Sequence, residues 1–171
     1  MYKLLIRLFL ILVVLICCIL IGFFISNYYK KRNIFFAELL SFTQFLKTHV
    51  KHGNEKLAVV INRFSLSDSD NFNNLIFKYE LFIDNKLDKI EFESFINNNL
   101  LFLKDKEKKT VFNFFITLGS FDEDCELTNL EVFEKNLENL VKFTTNESNK
   151  FSPFAIKMSV LIGSLLFIIF I

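Results

Sequence analysis

The sequence has very few turn residues: its 171 residues include 4 Gly, 1 Pro and no Trp. That scarcity excludes a collagen-like chain and argues against a sheet protein built on many tight turns. Three Cys, two of them adjacent at Cys17 and Cys18, cannot form a disulfide framework. A formal net charge of +1 provides no global field to attract nucleic acid. The sequence also lacks a Gly-rich phosphate loop, a Gly-x-Ser-x-Gly elbow, a Cys-x-x-Cys pair and a His-Glu-x-x-His helix.

Apolar residues are in excess. They make up 52% of the chain, and Phe alone contributes 24 residues. A disordered chain would not be this hydrophobic, and the length suits one ordinary domain with little to spare.

Much of the excess lies at the two ends. Leu8 to Ile25 is an uncharged run flanked by Arg7 and by Lys30-Lys31-Arg32. As a helix it covers about 27 Å, near the thickness of a bilayer's hydrocarbon core. Gly22-Phe23-Phe24-Ile25 puts bulky residues where a leader peptidase needs small ones, so an uncleaved span is expected. Cys17 and Cys18 are read as small apolar residues of that span. Phe154 to Ile171 forms a second span, with Lys157 able to snorkel to the headgroups. Ser159-x-x-x-Gly163 puts two small residues on one helical face, the spacing that lets membrane helices approach closely.

Lys30, Lys31, Arg32, Lys150 and Lys157 flank the spans on the central side, against Lys3 and Arg7 on the other. By the positive-inside rule the centre is then cytoplasmic and both ends lie across the membrane. Tyr28 and Tyr29 suit the interfacial belt. Lys30 to Arg32 are read as topology determinants and lipid contacts. The expected organisation is a first transmembrane helix at 4–27, a cytoplasmic bundle at 28–153 and a second transmembrane helix at 154–171.

Residues 33–153 hold all 19 acidic residues against 14 Lys and Arg, so this insert is acidic and no nucleic-acid partner is expected. Its apolar residues recur every three or four positions, as in Phe35, Leu39, Phe42, Leu46 and Val50. The same spacing marks Leu57 to Phe64, Phe72 to Ile83, Phe92 to Ile96, Val111 to Leu118 and Leu127 to Val141. The fold class is therefore all-α. Asp88-x-x-Glu91 predicts a capping box, Gly119 a left-handed helix end, and Asp122 to Glu126 an acidic first turn for the last helix. Glu131 with Lys135 and Glu138 with Lys142 have i,i+4 spacing. The first span should run unbroken into the helix at 33–52, while the last helix should be interrupted near Ser152-Pro153.

Candidate chemistry is sparse. His49 and His52 share a helical face but lack a third metal ligand. The acidic run at Asp122 to Glu126 lacks the spacing of a calcium loop, and Asp68-Ser69-Asp70 fails likewise. Asn146-Glu147-Ser148 would accept a glycan only on a luminal domain. No cofactor, metal or catalytic residue is assigned, and the chain is read as a non-enzyme. Phe-rich amphipathic helices could fill one core or leave a stripe for partner helices.

The order of motifs resembles the stage III sporulation protein AB family over nearly the whole chain. Gly22, Tyr29 and Arg32, followed by Leu39, Leu46, Val50 and Leu57, resemble the family's span and first helices. Leu118-Gly119-x-x-Asp122 resembles a signature between helices, and Lys157-Met158-Ser159-x-x-x-Gly163 resembles its closing motif. The chain departs from that pattern at Lys47 and His49, where the family often has Glu. It departs again at Lys56, at Glu126 in place of Gln, and at Ser159 in place of Gly.

The resemblance implies a two-pass protein of the mother-cell membrane facing the forespore, akin to secretion-system platforms. Its implied partners are the sporulation ATPase, stage III sporulation protein AA, other stage III membrane proteins, membrane lipid and further copies of itself. The implied job is a scaffold coupling that ATPase to a channel complex. The alternative is an oligomeric pore with a regulatory helical domain.

Overall fold

The computed structural model describes residues 2–52, 57–64, 69–119 and 123–170. Its described residues form six helices and no strand, in keeping with the all-α expectation. These are α1 (Tyr2–His52), α2 (Leu57–Arg63), α3 (Asp70–Ile83), α4 (Lys89–Asn99), α5 (Asp105–Thr117) and α6 (Glu123–Phe170). The chain divides into two compact units. One joins Met1–Asn33 with Phe143–Ile171, and the other is Ile34–Lys142.

The short helices begin and end where the sequence chemistry directs. Ser69 caps α3 by accepting from the Phe72 N–H at 3.4 Å. At α4, Asp88 accepts from the Lys89 N–H at 2.7 Å, and Glu91 accepts from the Asp88 N–H at 3.2 Å. The Asp88 side chain also accepts from the Glu91 N–H, so Asp88 and Glu91 pair reciprocally as a capping box and satisfy first-turn donors that no intrahelical carbonyl can reach. Helix α3 closes with a Schellman pair. The Lys86 N–H reaches Leu81 O at 2.9 Å and the Asn85 N–H reaches Phe82 O at 3.1 Å. Asn85 takes the left-handed position at φ 56°, a conformation that Asn tolerates better than most residues. Gly119 ends α5 at φ 78°, as its position predicts. Asp122 and Gly53 lie outside the described residues.

The predicted continuity of the first span with the next helix holds: α1 is one helix of 51 residues. The expected break at Ser152-Pro153 is corrected, because α6 runs through Pro153 without interruption. Proline removes one backbone donor, here the one that would reach the Asn149 carbonyl, and the flanking residues are held against α1 by the Ser26–Ser152 hydrogen bond and the Tyr29–Phe151 stack.

In the Ile34–Lys142 unit the apolar faces close on a phenylalanine-rich core. Phe35, Phe42, Phe72, Phe92 and Phe115 are fully buried together with Leu39, Leu46, Leu75 and Val111. Their rings meet mostly edge to face, as in Phe35–Phe72 at 5.8 Å and Phe92–Phe115 at 6.1 Å. Phe114 stacks on Phe133 at 4.1 Å. Such pairs add about 0.5–1.5 kcal/mol each beyond the area they bury. Among the described residues of this unit most Phe is hidden, and Phe77 is the large aromatic left well exposed. Tyr79 sits in the core, where burial and then the Glu126 charge push its phenol far above the usual range.

Lys47, a departure from the family pattern, has a partner in this unit. Its ammonium donates to Glu134 at 2.7 Å and lies 3.7 Å from Glu131. Glu131, which its spacing paired with Lys135, thus also lies beside a different helix. The hydrogen bond from Lys47 holds the Glu134 carboxyl below its usual range, and the bond to Glu134 holds Lys47 above its own. Glu134 therefore stabilises the fold above the normal carboxylate range, and this is lost as pH falls through its lowered value. Lys47's share is present below the normal lysine range and lost as pH rises through its raised value. Replacing Lys47 by Met should flatten the fall in thermal stability from neutral pH to about pH 3. An unchanged acid limb in melting curves across that range would contradict the assignment.

Candidate functional site: the paired terminal helices

In the Met1–Asn33 and Phe143–Ile171 unit, the first part of α1 runs antiparallel to the last part of α6. Most of the sequence-selected residues in this unit fall on the seam between them. Gly163 faces Leu15 and Cys18, and Gly22 faces Ser159 and Ala155. Ser26 and Ser152 share a hydroxyl hydrogen bond at 2.5 Å. Tyr29 stacks on Phe151 at 5.4 Å, with Tyr28 edge-on to it. The Asn33 amide oxygen accepts from Thr144 at 3.1 Å and Thr145 at 2.9 Å.

Arg32 is the outlier of this series and corrects its sequence reading. Lys30 and Lys31 are exposed, but Arg32 is only 2% exposed and ranks among the largest fully buried side chains. Its guanidinium donates to the Glu147 carboxylate, and the Phe143 ring centre lies 6.0 Å from it. A guanidinium is weakly hydrated, planar and permanently charged, so it can be buried where a carboxylate and a ring face meet it. Lipid contact therefore does not describe its position. Glu147, noted in the sequence only inside a glycosylation triplet, is its counter-ion and is largely buried.

The two glycines of this seam are not equivalent. A Cβ at Gly22 would stand 2.1 Å from Ser159 Oγ and 2.6 Å from Ser159 Cβ, and 3.1 Å from the Ala155 carbonyl oxygen. Rotating the hydroxyl away cannot relieve the second contact. A Cβ at Gly163 would meet Cys18 Cβ at an ordinary 3.5 Å. Ser159, with its hydroxyl turned back to Ile156 O at 2.8 Å, thus fits only because Gly22 opposes it.

The outer faces of both helices are apolar and exposed, with Leu12, Ile16, Leu20, Phe24, Leu161, Leu165 and Ile168 among them. Leu12–His49 and Cys125–Ile169 contain windows of mean hydropathy 2.3 and 1.9, and 11% of each window is buried. Length and composition make both helices compatible with a two-pass membrane protein.

The other selected residues lie in the Ile34–Lys142 unit, at the corner between α5 and α6. Leu118 is buried, and the Gly119 N–H donates to Glu126 Oε1 at 3.0 Å. Glu126 is itself buried, and its Oε2 has no hydrogen-bond partner among the described residues. The carboxylate therefore acts as a lock on the helix end, and the bond needs only one oxygen. Beside it, Thr110, Asn113, Phe114, Phe133 and Asn136 line an open groove of about 370 Å³. His49 bonds its own helix through Nδ1 to Phe45 O at 2.9 Å. Among the described residues, no group of three or more His, Cys, Asp or Glu could hold a metal ion.

Leu118 and Gly119 carried a readable signal, a left-handed glycine at a helix end. Glu147, Thr144 and Ser152 did not, since each finds its partner more than 100 residues away. A four-residue stagger of small and polar residues on α6 was the available clue: Thr144, Ser148, Ser152, then Ser159 and Gly163.

A family model for stage III sporulation protein AB matches residues 7–171. No curated protein and no solved structure matches the chain.

The glycine geometry makes a direct prediction for the isolated protein in detergent. Gly22→Ala should lower unfolding stability by about 1–3 kcal/mol through overpacking. Gly163→Ala should be near neutral, or stabilising by up to about 1 kcal/mol through helix propensity. Equal losses at the two positions in denaturant titrations would contradict the seam.

Proposed function

This chain belongs to the stage III sporulation protein AB family, and from that premise we propose that it is a membrane platform of the sporulation machinery. In this reading α1 and α6 cross the mother-cell membrane as an antiparallel pair. The helical Ile34–Lys142 unit then faces the cytoplasm. It works as a scaffold without an active site, joining a cytoplasmic ATPase, stage III sporulation protein AA, to a channel complex that faces the forespore. Other stage III membrane proteins and further copies of the chain are its expected neighbours.

The observation that carries the proposal is the family match across residues 7–171, which takes in both apolar helices and everything between them. Several features support the finer parts. The basic residues beside the apolar runs favour a cytoplasmic centre. The acidic insert suits a protein partner better than a nucleic acid. The polar seam pairs the two helices through hydrogen bonds and a buried ion pair, the kind of contact that associates helices where the hydrophobic effect is absent.

Deleting the gene from its spore-forming host should arrest sporulation after engulfment, with loss of heat-resistant spores. A tagged chain should resist alkaline extraction from membranes, and protease added to inside-out vesicles should cleave the central unit. Normal spore yield would overturn the sporulation role, and protection of the central unit in those vesicles would overturn the orientation.

A further inference from the structure

The paired-helix unit contains a second feature that the scaffold role does not use. A cavity of about 440 Å³ opens on the surface of α1, lined by Phe23, Phe24, Asn27, Lys30 and Lys31, with Ile156 of α6 completing its wall. Its two ends differ in chemistry. Phe23 and Phe24 are more than half exposed and offer ring surface at one end. Lys30 and Lys31 are exposed at the other, roughly two helical turns or about 10–12 Å further along. Asn27 stands between them on the same face. The lining contains no acidic side chain, and Glu147, the only carboxylate side chain in this unit's sequence, is engaged by Arg32.

We propose that this cavity binds one anionic phospholipid, its phosphate held by Lys30 and Lys31 and the start of its acyl chains lying along Phe23, Phe24 and Ile156. The reading rests on the membrane placement proposed above. Three features select a lipid over a small anion. The basic end is continuous with exposed apolar surface, which free phosphate cannot use. The rise of roughly 10 Å along the helix separates the apolar end from the basic end, which suits a molecule with an acyl part and a charged headgroup. The two lysines are compact charges on flexible stems, suited to a phosphate at a bilayer surface. Arg32 takes no part, being committed to Glu147.

The test uses the full chain reconstituted into phosphatidylcholine vesicles with roughly one-fifth phosphatidylglycerol, then released in mild detergent for native mass spectrometry. The wild type should retain phosphatidylglycerol selectively. Lys30→Gln with Lys31→Gln should cut that retention on the order of tenfold. Lys150→Gln with Lys157→Gln removes the same charge near the same surface but outside the cavity, and should leave retention unchanged. Millimolar inorganic phosphate should not displace the lipid.

Equal loss in both double variants would mean a diffuse basic surface and would overturn the site. So would equal retention of phosphatidylcholine, or displacement by inorganic phosphate. Flotation with the vesicles separates the two levels of the account. A chain that floats but shows no selective retention loses only this inference, while a chain that fails to float loses the membrane reading as well.

Discussion

A guanidinium buried between two helices leaves the chain little freedom in how its ends pair. Arg32 is almost wholly removed from solvent, and a charge in that position costs several kcal/mol unless a counter-ion and hydrogen bonds accompany it. Glu147 supplies the counter-ion. Once these two residues meet, the antiparallel register of the terminal helices is set. Ser26 then falls opposite Ser152, Tyr29 against Phe151, and Gly22 against Ser159. Each neighbouring contact is modest alone. A buried ion pair is a weak source of net stability, but it penalises alternative registers heavily, because any slip strands a charge.

That arrangement also explains how strongly polar groups coexist with two apolar helices. The Ser26 and Ser152 hydroxyls, the Asn33 amide and the ion pair lie in the seam, and exposed apolar side chains cover the outer faces. In the proposed bilayer setting, polar groups on the inner face would hold the helices together while the outer face meets lipid. Lys30 and Lys31, two residues and one residue before Arg32, are exposed instead. Three consecutive basic residues therefore divide between a structural role and a surface role.

Sequence reasoning was strong where the physics is local. Helical periodicity located the apolar faces, Asp88 with Glu91 marked a capping box, and Gly119 marked a helix end, because each needs information from only a few neighbouring residues. It was weaker where partners are far apart. Arg32 was read with Lys30 and Lys31 as a lipid contact, since nothing within a few turns reveals a carboxylate 115 positions away. Pro153 suggested a break because its lost donor is a local fact, whereas the Ser26–Ser152 and Tyr29–Phe151 contacts that accompany its continuation are tertiary. Glu126 shows both sides. Its position in an acidic first turn was readable, but its bond to the Gly119 amide depends on how α5 and α6 meet.

The central claim is that the Arg32–Glu147 pair sets the register of the terminal helices, and a double-mutant cycle tests it most directly. Unfolding stability would be measured in detergent for Glu147→Leu, Arg32→Leu and the two together. Glu147→Leu alone should cost about 3–5 kcal/mol, because it leaves a buried cation unmatched. The double variant should recover most of that loss, giving a coupling energy well above the scatter of independent sites. Additive losses, or a Glu147→Leu variant as stable as the wild type, would contradict the account.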